Sequence, residues 1–82
     1  MNANHVVGGV ALRPGVCLVI AEADYLYGIG AVTVVVAGVD RIFWYAGEDW
    51  VELHGSQVMT GGATVPRIIS VRVGALRAAV RQ

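Results

Sequence analysis

Glu52 and His54 stand two apart in the stretch WVELH, and no other carboxylate and imidazole lie as close along the chain. In an extended strand that spacing puts both side chains on one face, about 6–7 Å apart, close enough to share a metal ion or a water. A closed or catalytic zinc site takes at least three protein ligands. No third ligand is evident beside the pair, and His5 and the single cysteine, Cys17, are distant in sequence. Cys17 sits within VCLVI, where a free thiol behaves as a small hydrophobe. One cysteine also excludes an internal disulfide. Ser56 and Ser70 carry no nucleophile-elbow signature around them. Gly8-Gly9 and Gly61-Gly62 lack the spacing of phosphate-cradling loops, and Gly28-Ile29-Gly30 precedes a strand pattern rather than opening a helix. The expectation is a protein that is not an enzyme, with no catalytic residue, no cofactor and no metal.

The residues better suited to chemistry are those of binding. Tyr25, Tyr27, Phe43, Trp44, Tyr45 and Trp50 supply the aromatic surface, and Arg67, Arg72, Arg77 and Arg81 cluster in the last sixteen positions. Trp and Tyr beside Arg are the usual anchors of protein interfaces. On alternation, Trp50 shares its strand face with Glu52 and His54, so it is expected to be exposed while Val51 and Leu53 fill the core. The candidate partner-binding set is therefore Tyr25, Tyr27, Trp44, Trp50, His54, Arg67, Arg72 and Arg77; the other reading is that most of these aromatics are core. The same aromatics could stack on single-stranded bases, but Glu48, Asp49 and Glu52 surround Trp50 and would repel phosphate. A protein partner or a second copy of the chain is expected first. A nucleic-acid-binding barrel using the C-terminal arginines is the alternative.

Composition points the same way. The chain has 82 residues, of which 56% are apolar and 15% charged, with no net charge. A chain this short buries only about 60–65% of its unfolded surface. That is more apolar side chain than a small domain easily hides, so either a very well-filled barrel or an interface with another molecule is expected, most simply a homo-oligomer. Charge is unevenly placed: all six acids lie between Glu22 and Glu52, with Arg41 as the only cation among them. There is no lysine, so every cation is suited to bidentate pairing. The N-terminal MNANHVVGG has no basic segment before its apolar residues, and no apolar stretch approaches the ~20 residues of a membrane helix. The cytoplasm is the expected location, with no membrane involvement.

The elements that must carry these residues read as short strands. Residues 28–40, GIGAVTVVVAGVD, hold five valines in eight positions and form the expected central strand. Before it, residues 5–12 are a weak first strand or a loose arm, Arg13-Pro14-Gly15 is a turn, and residues 16–22 alternate with apolar side chains on both faces. Residues 23–29 form an irregular loop bearing Tyr25 and Tyr27, either one lip of a binding groove or a cap over the open end of a barrel. After a break at Asp40-Arg41, Ile42 to Tyr45 and Trp50 to His54 read as a hairpin with a loop of about four residues, AGED. Gly55 to Gln57 reads as a turn, Val58-Met59 as a short edge strand and residues 60–64 as a flexible loop. Pro66 marks the entry of the last strand, residues 67–73, in which Ile69, Val71 and Val73 face one way. Residues 75–80 are too short for an independent helix but fit a single turn with Leu76 inward and Arg77 and Arg81 outward. The fold expected is one all-β domain, residues 1–82: a five- to six-stranded SH3-like barrel or antiparallel sheet with a short C-terminal helical turn.

Arg13-Pro14-Gly15, the segment from Asp49 to Gly55 (DWVELHG) and the segment from Arg67 to Arg77 together resemble a group of small actinobacterial β proteins. They cover about a third of the chain and consist mostly of strand and turn signals. The resemblance implies a small β domain and no activity. The opening turn also resembles the entry to SH3-like barrels, an analogy of fold that carries no function.

Overall fold

Valine spacing dictates the centre of the sheet. In the computed structural model, which describes residues 5–81, Val32, Val34 and Val36 point to one side of a strand and are buried. The strands are β1 (His5–Val7), β2 (Val10–Leu12), β3 (Cys17–Ile20), β4 (Val32–Tyr45), β5 (Glu48–Val58), β6 (Thr64–Arg72) and β7 (Val80–Arg81). A short helix, α1 (Leu76–Ala79), precedes β7, and 3-10 turns lie at Glu22–Asp24 and Val73–Ala75. β1 and β2 form a separate hairpin through Gly8 and Gly9. The other five strands make an antiparallel sheet in the order β6-β5-β4-β3-β7. The chain thus runs as a meander from β3 to β6 and then returns through α1 to add β7 beside β3.

The all-β expectation holds, as does the antiparallel sheet with a short C-terminal helical turn. No closed barrel forms: β6 and β7 are the two ends of the strand order and do not pair with each other. The free edge of β6 is partly covered instead. Tyr25 bridges to Val71, and the Leu26 amide donates to the Ser70 carbonyl at 3.0 Å.

β4 and β5 depart most from the sequence reading. The expected break at Asp40-Arg41 does not end a strand, and Ile42 to Tyr45 are not a separate one. β4 continues for 14 residues through two irregularities in its pairing with β5, between Val36 and Gly38 and between Val39 and Arg41. Each extra residue bends the strand and increases its twist. Fully extended, 14 residues would span about 45 Å, whereas the longest dimension of the molecule is 35 Å. The bends let one strand serve two parts of the fold. Nor is Gly55 to Gln57 a turn: β5 runs unbroken from Glu48 to Val58, so Val58 belongs to it rather than to an edge strand. Gly55 lies opposite Val36 and against the backbone of β4, where a Cβ would fall well under 3.0 Å from the Val35 carbonyl oxygen. The glycine marks a close approach of two backbones, one of the other meanings of Gly within a strand.

The β4–β5 connection is also shorter than expected. It is a two-residue turn, Ala46-Gly47, with φ of 52° and 82°, and Glu48 and Asp49 already belong to β5. Two-residue hairpins favour this left-handed geometry because it matches the twist of the strands. Ala46 adopts it at a steric cost that glycine avoids. The Ala46→Gly variant is expected to be more stable by about 0.5–1 kcal/mol, read as a raised midpoint in thermal denaturation.

The core lies on one side of the sheet. Leu18 and Ile20 from β3, Val34 and Val36 from β4, Val51 and Leu53 from β5, and Ile69 and Val71 from β6 meet there. Val7, Val10 and Leu12 of the β1–β2 hairpin and Leu76 and Ala79 of α1 complete it. Each fully buried side chain of this size contributes about 1.5–3 kcal/mol relative to exposure. Leu76 points inward and Arg77 outward as expected, while Val80 and Arg81 extend into β7 instead of continuing the turn. Among the described residues no helix is long and apolar enough to cross a membrane.

Candidate interaction surface

Alternation along β5 puts Trp50, Glu52, His54 and Ser56 on the face of the sheet away from the core. Their register partners on β6 are Arg72, Ser70, Ile68 and Pro66. Glu52 and His54 therefore do share a face, yet each is held by a different neighbour. Arg41 Nε lies 3.3 Å from Glu52 Oε1, and His54 Nδ1 is 2.8 Å from Asp40 Oδ1. The His54 ring rests over Gly38, where any Cβ would meet it. The two side chains thus belong to separate pairs, set by the bend that brings Asp40 and Arg41 alongside them. Among the described residues no group of three or more His, Cys, Asp or Glu side chains could hold a metal ion. A shallow open depression of about 440 Å³ lies beside His54, lined by Ala37, Ser56, Pro66, Arg67 and Ile68.

Trp50 corrects the expectation of an exposed aromatic: it is only 3% exposed. Its indole Nε1 donates to the Tyr45 carbonyl at 2.8 Å, and the Tyr45 ring meets it edge-on at 6.2 Å. Arg72 covers it, with the guanidinium carbon 5.5 Å from the ring centre. Arg72 Nε lies 3.3 Å from Glu48 Oε1 and 4.0 Å from Asp24 Oδ1, and Arg72 Nη2 donates to the Ala23 carbonyl. Period-2 reasoning placed Trp50 on the right face, but a face away from the main core can still be roofed by long side chains.

Tyr25 is buried too. Its ring packs against Gly28, its hydroxyl donates to the Gly30 carbonyl at 2.7 Å, and Arg67 stands over it at 6.0 Å. It closes the open edge of β6 rather than offering a binding lip. Tyr27, at φ 61° on the same loop, is 92% exposed.

The arginines are dispersed. Arg67 and Arg72 sit at odd and even positions of β6 and so point to opposite faces. Arg67 also donates to Gln57 Oε1. Arg77 lies on α1 beside Gly9, and Arg81 turns back onto the Ala78 and Val80 carbonyls at 2.8 and 3.0 Å, on the far side of the sheet from β6. The sequence clustered them; the sheet order separates them.

The far end of the β4–β5 hairpin is one open apolar surface among the described residues, with Tyr27, Ile29 and Ile68 exposed elsewhere. Ile42 lies opposite Val51, and Trp44 opposite Asp49, so both continue the core-facing side of β4 beyond the core itself. Ile42 is 53% exposed and Trp44 70%. Sequence reasoning singled out Trp44 but not Ile42, because the register that aligns Ile42 with Val51 depends on the two bulges. No protein-family model, curated protein or solved structure matches this chain.

Proposed function

We propose that the chain is a non-catalytic protein-interaction module of SH3-like type, acting in the cytoplasm, which docks on a protein partner or on a second copy of itself through the outer part of the β4–β5 hairpin. The carrying observation is the exposure of Ile42 and Trp44 on a strand face that is otherwise core. Trp is the residue most enriched among the side chains that dominate interface energies. The meander with its last strand added beside β3, and Tyr25 covering the β6 edge, supports the SH3-like part of the reading.

Size-exclusion chromatography with light scattering tests it. Self-association predicts a concentration-dependent mass above the 8.6 kDa monomer, lowered to the monomer by joint Ile42→Ser and Trp44→Ala substitution. A parent chain that stays monomeric at high micromolar concentration removes the second copy and leaves a different protein as partner. If the double variant keeps every association of the parent, the hairpin surface is not the docking face.

Nucleic acid is the weaker alternative, since Arg72 is neutralised by Glu48 and Asp24 and Arg81 is turned onto its own backbone. We expect no shift of single- or double-stranded oligonucleotides at about 50 mM salt, where phosphate-driven binding is strong. A clear, salt-sensitive shift would favour the alternative.

A further inference from the structure

The chain builds the same small arrangement twice within itself. In one, Arg41 has its guanidinium carbon 4.6 Å from the Phe43 ring centre and its Nε 3.3 Å from Glu52 Oε1. In the other, Arg72 stands 5.5 Å from the Trp50 ring centre and 3.3 Å from Glu48 Oε1. Each joins an aromatic ring, a carboxylate and an arginine on one face of neighbouring strands. The ring face attracts the planar cation, and the carboxylate supplies the opposite charge.

A third ring and carboxylate stand together without the arginine. Trp44 and Asp49 are direct cross-strand partners at the hairpin end, where facing Cβ atoms lie about 4.5–5.5 Å apart. Both residues are exposed, and among the described residues Asp49 makes no ion pair and no side-chain hydrogen bond. Arg72 and Arg41, the cations committed nearby, are held on the other face of the hairpin by register with Trp50 and Glu52. Ile42 adds an exposed apolar surface beside Trp44.

We infer that Trp44 and Asp49 form a receptor for an arginine side chain carried on an apolar segment of a different protein, with Ile42 contacting the flanking apolar residue. The inference rests on the docking reading above and names its partner chemistry. Charge decides the kind of partner. Placing two copies of this tip face to face would set Asp49 against Asp49, whereas a cationic segment satisfies it.

The test uses the full chain, isotope-labelled, and a capped pentapeptide, Leu-Gly-Arg-Gly-Leu, beside the same peptide with citrulline in place of arginine. Citrulline keeps the shape and removes the charge. The arginine peptide is expected to shift the Trp44 indole signal in a saturable titration and to bind at least about fivefold more tightly than the citrulline peptide. Asp49→Asn is expected to cut that affinity about threefold, and Trp44→Leu to abolish the preference, with the remaining backbone signals of both variants unmoved. Equal binding of the two peptides, or an unchanged affinity in Asp49→Asn, overturns the inference. So does a Trp44 signal that shifts with protein concentration alone and is restored by Arg77→Ala or Arg13→Ala, since the cation would then come from a second copy. If the parent binds both peptides equally and Trp44→Leu loses both, the docking face stands and only the arginine receptor is removed. The light-scattering comparison of the Ile42 and Trp44 double variant judges the docking face separately.

Discussion

Gly55→Ala is expected to destabilise the protein by about 3 kcal/mol or more. The added methyl meets the Val35 carbonyl oxygen, backbone rather than a yielding side-chain tip. Relief requires β4 and β5 to move apart where they are paired in the middle of the sheet. The next residue, Ser56, lies in the same strand without that contact, so Ser56→Ala serves as the control and should stay within about 0.5 kcal/mol of the parent. For a domain of this length the total stability is about 4–12 kcal/mol. A loss of 3 kcal/mol lowers the melting midpoint by roughly 12–24 °C, readily seen by circular dichroism. A Gly55→Ala protein melting within a few degrees of the parent would contradict the close backbone approach on which the bent hairpin depends.

Trp50 and Trp44 are expected to behave in opposite ways on truncation. Trp50→Ala removes a buried ring, its hydrogen bond to Tyr45 and the platform under Arg72. The expected loss is about 3–5 kcal/mol, enough to unfold a substantial fraction of the chain. Trp44→Ala removes an exposed ring, and its stability should change by no more than about 0.5 kcal/mol. Urea denaturation of the two variants makes the comparison. Fluorescence adds a second check, because the chain has only these two tryptophans. The Trp44→Ala protein, retaining the buried Trp50, should emit at shorter wavelength than any folded Trp50→Phe protein. Equal stability losses would mean that the two rings are not divided between fold and surface as described.

The division matters for function because the two residues look interchangeable in sequence. Both lie in apolar hairpin strands with acids nearby. Trp50 is consumed by the fold; Trp44 is available. A reading from composition assigns both to a partner, and only the roof built by Arg72 and Tyr45 separates them.

Local pattern alone determined that this is an all-β chain. It also identified the shared face of Ile69 and Val71 in the last strand, the inward Leu76 and outward Arg77, and the valine-rich run of β4 as a central strand. Side-chain alternation and β-branching act within a few residues, so these features are visible without partners. Tertiary structure decided what depends on contacts between distant segments. It showed Gly55 as a close approach instead of a turn, and Asp40-Arg41 as a bend within one strand. It divided Glu52 and His54 between separate partners, buried Tyr25 and Trp50, and scattered the four C-terminal arginines over β6, α1 and β7. Register between β4 and β5 governs the outcomes at Gly55, Asp40-Arg41, Glu52 and His54, and two bulges set that register. A bulge is a property of two strands together, so one strand's sequence does not announce it.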